Sequence, residues 1–293
     1  TALGQQRSEE PGFGPDPRVS SGPIAPVLEG VGDQTIECTS DSETAKRFVN
    51  QGLSLCYAFN HDEATRAFQE ALRLDSDCAM AYWGIAFSRS PNLNKPMPAE
   101  DVPVAWDAIQ KALALKDSVS AKEGALIEAL ALRFSEDAES DRAALDTAYA
   151  TAMKAVYAQY PEDSNVATLY AASLMDLNPW GYWTKDGSPR TNTETVARVL
   201  QKAIEDNPKN TGALHYYIHL VEEHYPERAE AAADQLTKLA PNAGHLVHMP
   251  SHIFMRLGRY SDAYEANKLA VLADEGYITA CRNQGIYPLS YYP

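Results

Sequence analysis

The sequence lacks most of the motifs by which metal-binding, catalytic and nucleotide-binding proteins are usually identified. Its four cysteines form no CxxC pair, which excludes a zinc knuckle. The HExxH motif of metalloproteases, a glycine-rich phosphate loop and a nucleophile elbow are all missing. No apolar run approaches the roughly 20 residues that a membrane-spanning helix needs, so no membrane span is predicted.

Positive charge is scarce as well. The 293 residues include 25 Lys and Arg against 40 Asp and Glu, which gives a net charge of −15, and they contain no basic stripe. A phosphate backbone would be repelled by most of such a surface. Nucleic acid is therefore not an expected partner, and a cationic ligand or a metal ion fits the charge better.

The pattern along the chain predicts an all-α protein. Residues 1–40 are rich in Gly, Pro and Ser, which indicates an extended N-terminal arm without a core of its own. From residue 41 the pattern becomes helical and repetitive, and abundant alanine favours helix. About six helix pairs are predicted between residues 41 and 274, within one repeat domain that covers 41–293.

Small and aromatic residues recur in this domain at a fixed interval. Gly258, Tyr260, Ala263 and Ala270 mark the last copy, and Ala229 lies 34 residues before Ala263. This spacing resembles the tetratricopeptide repeat, whose period is 34. The resemblance implies a right-handed α-solenoid whose first helices line a concave groove.

Longer motifs resemble a group of bacterial tetratricopeptide proteins of unassigned function. The shared segments are DCAMAYWGIAFSRSPNLN, LMDLNPWGYWT and HYYIH followed by GHLVHMPSHI. Many members look exported, which implies a secreted or periplasmic protein. In such relatives the chain continues with further histidines and another helix pair, so truncation at the C-terminus is expected here.

Two repeats are lengthened between their helices, near residues 90–103 and 178–193. The second insertion carries Trp180, Tyr182 and Trp183, which are costly to leave in water. We therefore expect it to fold back over the groove as an aromatic lid.

Six of the seven histidines lie between residues 211 and 256. Residues three and four apart share one face of a helix. One helix should therefore present His215 and His219 together, and the next should present His245, His248 and His252. By the repeat resemblance all five side chains point into the same groove, which predicts a transition-metal site.

Imidazole ligands favour Cu or Zn, with Fe or Ni as alternatives. Further groove contacts are expected from residues close to the histidines in the repeat frame, and these are Glu222, Glu223, Tyr170, Asp176, Trp180 and Trp183. The leading hypothesis is a metal-binding solenoid that binds or transforms a small ligand, with metal-dependent catalysis left open. The alternative is a non-enzymatic scaffold that binds a peptide in the groove.

Other histidines and cysteines carry weaker predictions. His61 is expected to face solvent, and His224 is expected at the surface. Cys38 and Cys56 either form a bridge that ties the arm to the first helix or remain free, since buried free cysteine is common.

Overall fold

A computed structural model describes residues 22–281 and 287–291. These residues are all-α, which confirms the predicted class, and their only β-type pairings are two isolated bridges. The helices are α1 (Glu43–Tyr57), α2 (His61–Leu74), α3 (Ala79–Ser88), α4 (Asp101–Leu115), α5 (Ala121–Ala131), α6 (Arg142–Gln159), α7 (Ser164–Met175), α8 (Thr193–Asp206), α9 (Thr211–Val221), α10 (Glu230–Leu239), α11 (Gly244–His248), α12 (Pro250–Arg256), α13 (Tyr260–Ala280) and α14 (Tyr287–Tyr291). Within the described part of the chain, no helix is both long and apolar enough to cross a bilayer.

Most helices pack mainly against their neighbours in the chain, whereas α11 packs mainly against α13. The close approach of α1, α2 and α3 depends on two glycines, because a Cβ added at Gly52 or Gly84 would lie 2.6 Å and 2.2 Å from the ring of Phe68. Contacts also link alternate helices, such as α1 with α3 and α7 with α9. One continuous apolar core results, and it extends from Ala25 to Ala263.

Helices that are distant in the chain also pack together, because α9 contacts α1. A side chain at Gly212 would lie 2.6 Å from the ring of Tyr57, so glycine permits this approach. Every residue of α9 is buried. The face of α9 that carries two histidines is therefore covered by the end of the first helix.

Residues 22–42 contain no helix, and the first 21 residues of the predicted arm lie outside the described part of the chain. This segment is held by backbone hydrogen bonds to side chains of three helices, and one of these bonds runs from Ile24 N–H to Glu70 in α2. Leu28 N–H donates to Gln51 and Ile36 N–H donates to Asn50, both in α1, and Thr39 N–H donates to Glu123 in α5. The segment thus follows the surface of the helical domain.

All four cysteines are free thiols. Cys38 does not lie beside Cys56 as the bridged alternative required. Its Sγ is 3.5 Å from Sγ of Cys78, which is the N-cap residue of α3. Cys56 is buried within α1.

Candidate metal centre

The histidine-bearing segment 244–256 is two helices and not one. Pro250 has no N–H to continue the helix, and α11 therefore ends at His248 while α12 begins at Pro250. The N–H of His252 bonds to the carbonyl of Met249, three residues back, so the turn between them is tight. His245 and His248 thus lie on α11, and His252 lies on α12.

Three of the predicted ligands form a buried cluster. One ligating atom each of His215, His219 and His245 lie within 4.8 Å of one another. The three side chains are 0%, 4% and 5% exposed. Two of them come from one face of α9 and the third from α11, so the two helix faces meet as the histidine spacing predicted.

Hydrogen bonds fix which nitrogen each ring presents to the cluster. Nδ1 of His215 lies 2.7 Å from the carbonyl oxygen of Tyr57, which can only accept, so this nitrogen carries the proton. In the same way Nδ1–H of His219 donates to Oε1 of Glu222 over 3.0 Å. In the neutral rings both Nε2 atoms therefore carry a lone pair.

Nε2 of His215 faces His245 inside the cluster. It lies 3.1 Å from Nε2 of that ring, whose N–H can donate to the lone pair of His215. Nε2 of His219 is buried and has no hydrogen-bond partner among the described residues. A buried acceptor without a partner is rare in folded proteins, because its lost hydration is not replaced.

Burial also keeps these rings neutral. It is the largest cause that lowers the pKa of His219, and it holds the pKa values of His215 and His245 well below the usual range with help from neighbouring imidazoles. Neutral imidazole is the form that binds metal ions. The cluster therefore presents ligating nitrogens at neutral pH without first losing protons.

The other two predicted ligands form a separate pair beside the cluster. Nε2 of His248 lies 2.9 Å from Nε2 of His252. Nδ1 of His248 contacts Oδ1 of Asn267 over 2.6 Å, and Nδ1 of His252 contacts Oε2 of Glu222 over 2.5 Å. The side chain of His252 is 35% exposed, so this pair is more open than the buried cluster.

Glu222 joins the two groups, because its two oxygens bind His219 and His252. Burial by itself raises its pKa, but the hydrogen bonds from the two rings outweigh burial and lower the pKa to about 2. Glu222 is thus a carboxylate that orients two imidazoles. Glu223, also a predicted contact, has a side chain that is 63% exposed and lies 3.6 Å from His224.

The second insertion lies across the end of α9. Trp180 meets the ring of His219 edge-on, with centroids 5.2 Å apart, and remains 47% exposed. Its φ of 61° is unusual for a bulky residue, and such strain is common at functional sites. Trp183 is buried instead, and its Nε1–H donates to the carbonyl of Leu220 over 2.6 Å.

Tyr170 and Asp176 take part in core packing. Tyr170 stacks on Tyr157 at 5.4 Å, and Asp176 forms an ion pair with buried Arg133 at 2.9 Å. Burial raises the pKa of Asp176 to about 6, against the opposing effect of Arg133. Within the described residues neither side chain hydrogen-bonds to an imidazole of the cluster.

Phe59 is the main residue of the site that the histidine spacing did not predict. Its ring centroid lies 4.6 Å, 5.8 Å and 5.2 Å from the rings of His215, His219 and His245, respectively. Tyr291 contacts the ring of His245 at 4.8 Å. No local pattern marks either residue, because both reach the cluster from distant parts of the chain.

One prediction for the remaining histidines needs correction. His61 does not face solvent but is half-buried; its Nδ1–H donates to the carbonyl of Phe59, and burial lowers its pKa to about 4. His224 is half-buried and partly exposed, which agrees with a surface position, and its ring centroid lies 6.5 Å from that of Trp183.

No protein-family model matches the chain, and a comparison with curated proteins finds no significant match.

Proposed function

We propose that the protein binds a transition-metal ion through Nε2 of His215, His219 and His245. The observation that carries this proposal is the buried, unpartnered Nε2 of His219, next to two other imidazoles. An ion would supply the missing partner. The Nδ1–H of two rings already donates to oxygen acceptors, which is the usual arrangement of histidine ligands in metal sites.

The donor set fits copper or zinc best. Three neutral imidazoles suit Zn, Cu, Ni or Fe, and three protein ligands with an open position are typical of catalytic zinc. Two nitrogens at about 2.0–2.1 Å from a tetrahedral ion are about 3.3–3.4 Å apart. The 3.1 Å between Nε2 of His215 and Nε2 of His245 is close to this value, and the widest spacing allowed by the 4.8 Å limit would have to close by about 1.4 Å on binding. A bound ion would supply Lewis-acid or redox chemistry.

A cavity next to the cluster supports the binding of a small ligand. It has a volume of about 340 Å³, and its lining includes Phe59 and Tyr291, which contact the cluster, together with Arg89, Asn94 and Lys95. The last three offer hydrogen-bond donors at the cavity wall. We therefore propose that a small ligand with acceptor atoms occupies this cavity, with the rings of Phe59 and Tyr291 between it and the histidines of the cluster.

The proposed architecture is a tetratricopeptide-like solenoid. Sequential packing of helix pairs and the contacts between alternate helices support it. A secreted or periplasmic location is part of the proposal and rests on the resemblance to exported proteins alone.

Peptide binding is the weaker alternative for this end of the groove. The end of α1 packs on α9, and Phe59 fills the space over three histidines. An extended peptide would need that space to be open. The observed burial therefore favours an ion and a small ligand.

Elemental analysis of untagged protein tests the proposal. After incubation with Zn²⁺ or Cu²⁺ and gel filtration, the wild type should retain metal, because the cluster lone pairs bind it. His219→Gln should retain less metal than the wild type, because the cluster loses one of its three ligands, while His224→Gln, a half-buried histidine outside the cluster, should retain as much as the wild type. Metal-free wild type after both incubations would refute the proposal.

A further inference from the structure

The pair of His248 and His252 has an unusual arrangement of protons. Nδ1 of His252 faces the carboxylate of Glu222, which only accepts, so this nitrogen carries the proton. Nδ1 of His248 faces the amide oxygen of Asn267, which also accepts. In the neutral rings both Nε2 atoms then carry lone pairs, and these point at each other across 2.9 Å.

Two facing lone pairs repel unless something positive lies between or beside them. A proton shared by the two rings or a reversed Asn267 amide would relieve the repulsion, and so would a metal ion. The 2.9 Å distance matches an N–H···N hydrogen bond, and it also fits an ion bound by both rings. Two nitrogens bound at a right angle to one ion, each at about 2.0–2.1 Å, are about 2.9 Å apart.

The surroundings of the pair are also those of a metal site. Both Nδ1 atoms have an oxygen partner, which fixes the orientation of the rings as in histidine ligands of known sites. The ring of His252 is partly open to solvent, so water or a ligand can fill the remaining coordination positions. Glu222 adds a nearby negative charge without using a position on the ion.

We infer that His248 and His252 hold a second transition-metal ion next to the buried cluster, so that the protein has a two-metal centre. The inference deepens the proposed function and rests on it. His245 and His248 lie three residues apart on α11, with ring centroids separated by 6.3 Å, so the two sites are adjacent. Glu222 links them, because its two oxygens orient one ligand of each site.

The two sites should differ in how tightly they hold metal. The buried site has three imidazoles that are almost inaccessible to solvent, whereas the second has two and is partly exposed. Fewer protein ligands and easier access of water and chelators favour exchange. The ion of the pair should therefore leave first during dialysis against a weak chelator.

Metal stoichiometry of the untagged protein tests the inference. After loading with Zn²⁺, wild type should hold about two equivalents and the His248→Gln/His252→Gln double variant about one. The single variant His252→Gln, changed at a partly exposed position, serves as a second test in case the double variant does not fold. It should also bind about one equivalent of Zn²⁺. His224→Gln should match wild type, and thermal melts of the apo forms check folding.

Each other outcome has a separate meaning. One equivalent in both wild type and the double variant would overturn the second site and leave the proposed function intact. One equivalent in wild type and none in the folded double variant would show a single ion shared by both histidine groups, which also overturns the inference. Wild type that retains no metal would refute both.

Discussion

Replacement of Glu222 by glutamine tests how the carboxylate orients the histidines. Glu222 accepts Nδ1–H of His219 at 3.0 Å and Nδ1–H of His252 at 2.5 Å. A glutamine amide has one oxygen and one NH₂, so it can accept from only one of the two rings. The other ring then faces a donor and must move its proton to Nε2, the atom that would bind metal.

The expected loss follows from this change of tautomer. Removal of a hydrogen-bond partner behind a histidine ligand typically costs 10–100-fold in metal affinity, or about 1.4–2.7 kcal/mol. The loss should appear in the buried site if the His219 ring changes tautomer, and in the pair if the His252 ring does. Weaker binding is therefore expected at one of the two sites.

Competition between apo protein and a chromophoric chelator for Zn²⁺ measures this effect at neutral pH. Glu223→Gln is the matched control, since it makes the same chemical change at the next residue, whose side chain is 63% exposed. The control should bind as wild type. If Glu222→Gln binds Zn²⁺ within about twofold of wild type at every resolved site, the carboxylate does not orient the ligands as argued.

Three further predictions concern residues outside the histidines. Arg133→Met should destabilise the fold by about 3–5 kcal/mol in urea unfolding, because it leaves the carboxylate of Asp176 without its ion-pair partner and Asp146 with Arg142 alone. Unchanged stability would contradict this, and metal affinity should stay as in wild type. Cys38 and Cys78 should form a disulfide in a glutathione redox buffer, because their Sγ atoms are 3.5 Å apart and a hydrogen bond from Cys38 lowers the pKa of Cys78. Mass spectrometry should detect the cross-linked peptide, and any other pairing would refute the expectation. By the chain-entropy model, closing this loop should add about 4 kcal/mol to the free energy of unfolding. Bound Cu²⁺ should quench the fluorescence of Trp180, because the indole contacts the ring of His219. Trp180→Phe should remove most of this quenching, and the control Trp106→Phe should remove little of it. Equal loss of quenching in the two variants would place the ion elsewhere.

The local pattern was sufficient for the helical class and for the histidine faces. The 3.6-residue period places His215 above His219 whatever the rest of the chain does. The same reasoning paired His245 with His248 on α11. It treated 244–256 as one helix, however, and Pro250 divides that helix in two.

The tertiary structure decided how the five histidines divide and what orients them. Tyr57, whose carbonyl fixes the tautomer of His215, is 158 residues away in the chain, and Phe59 comes from the same turn. The grouping into a buried cluster and an open pair depends on where α1 packs against α9. Helical periodicity is a property of a few neighbouring residues, whereas burial, tautomer and the approach of distant carbonyls depend on packing between segments that no local pattern relates.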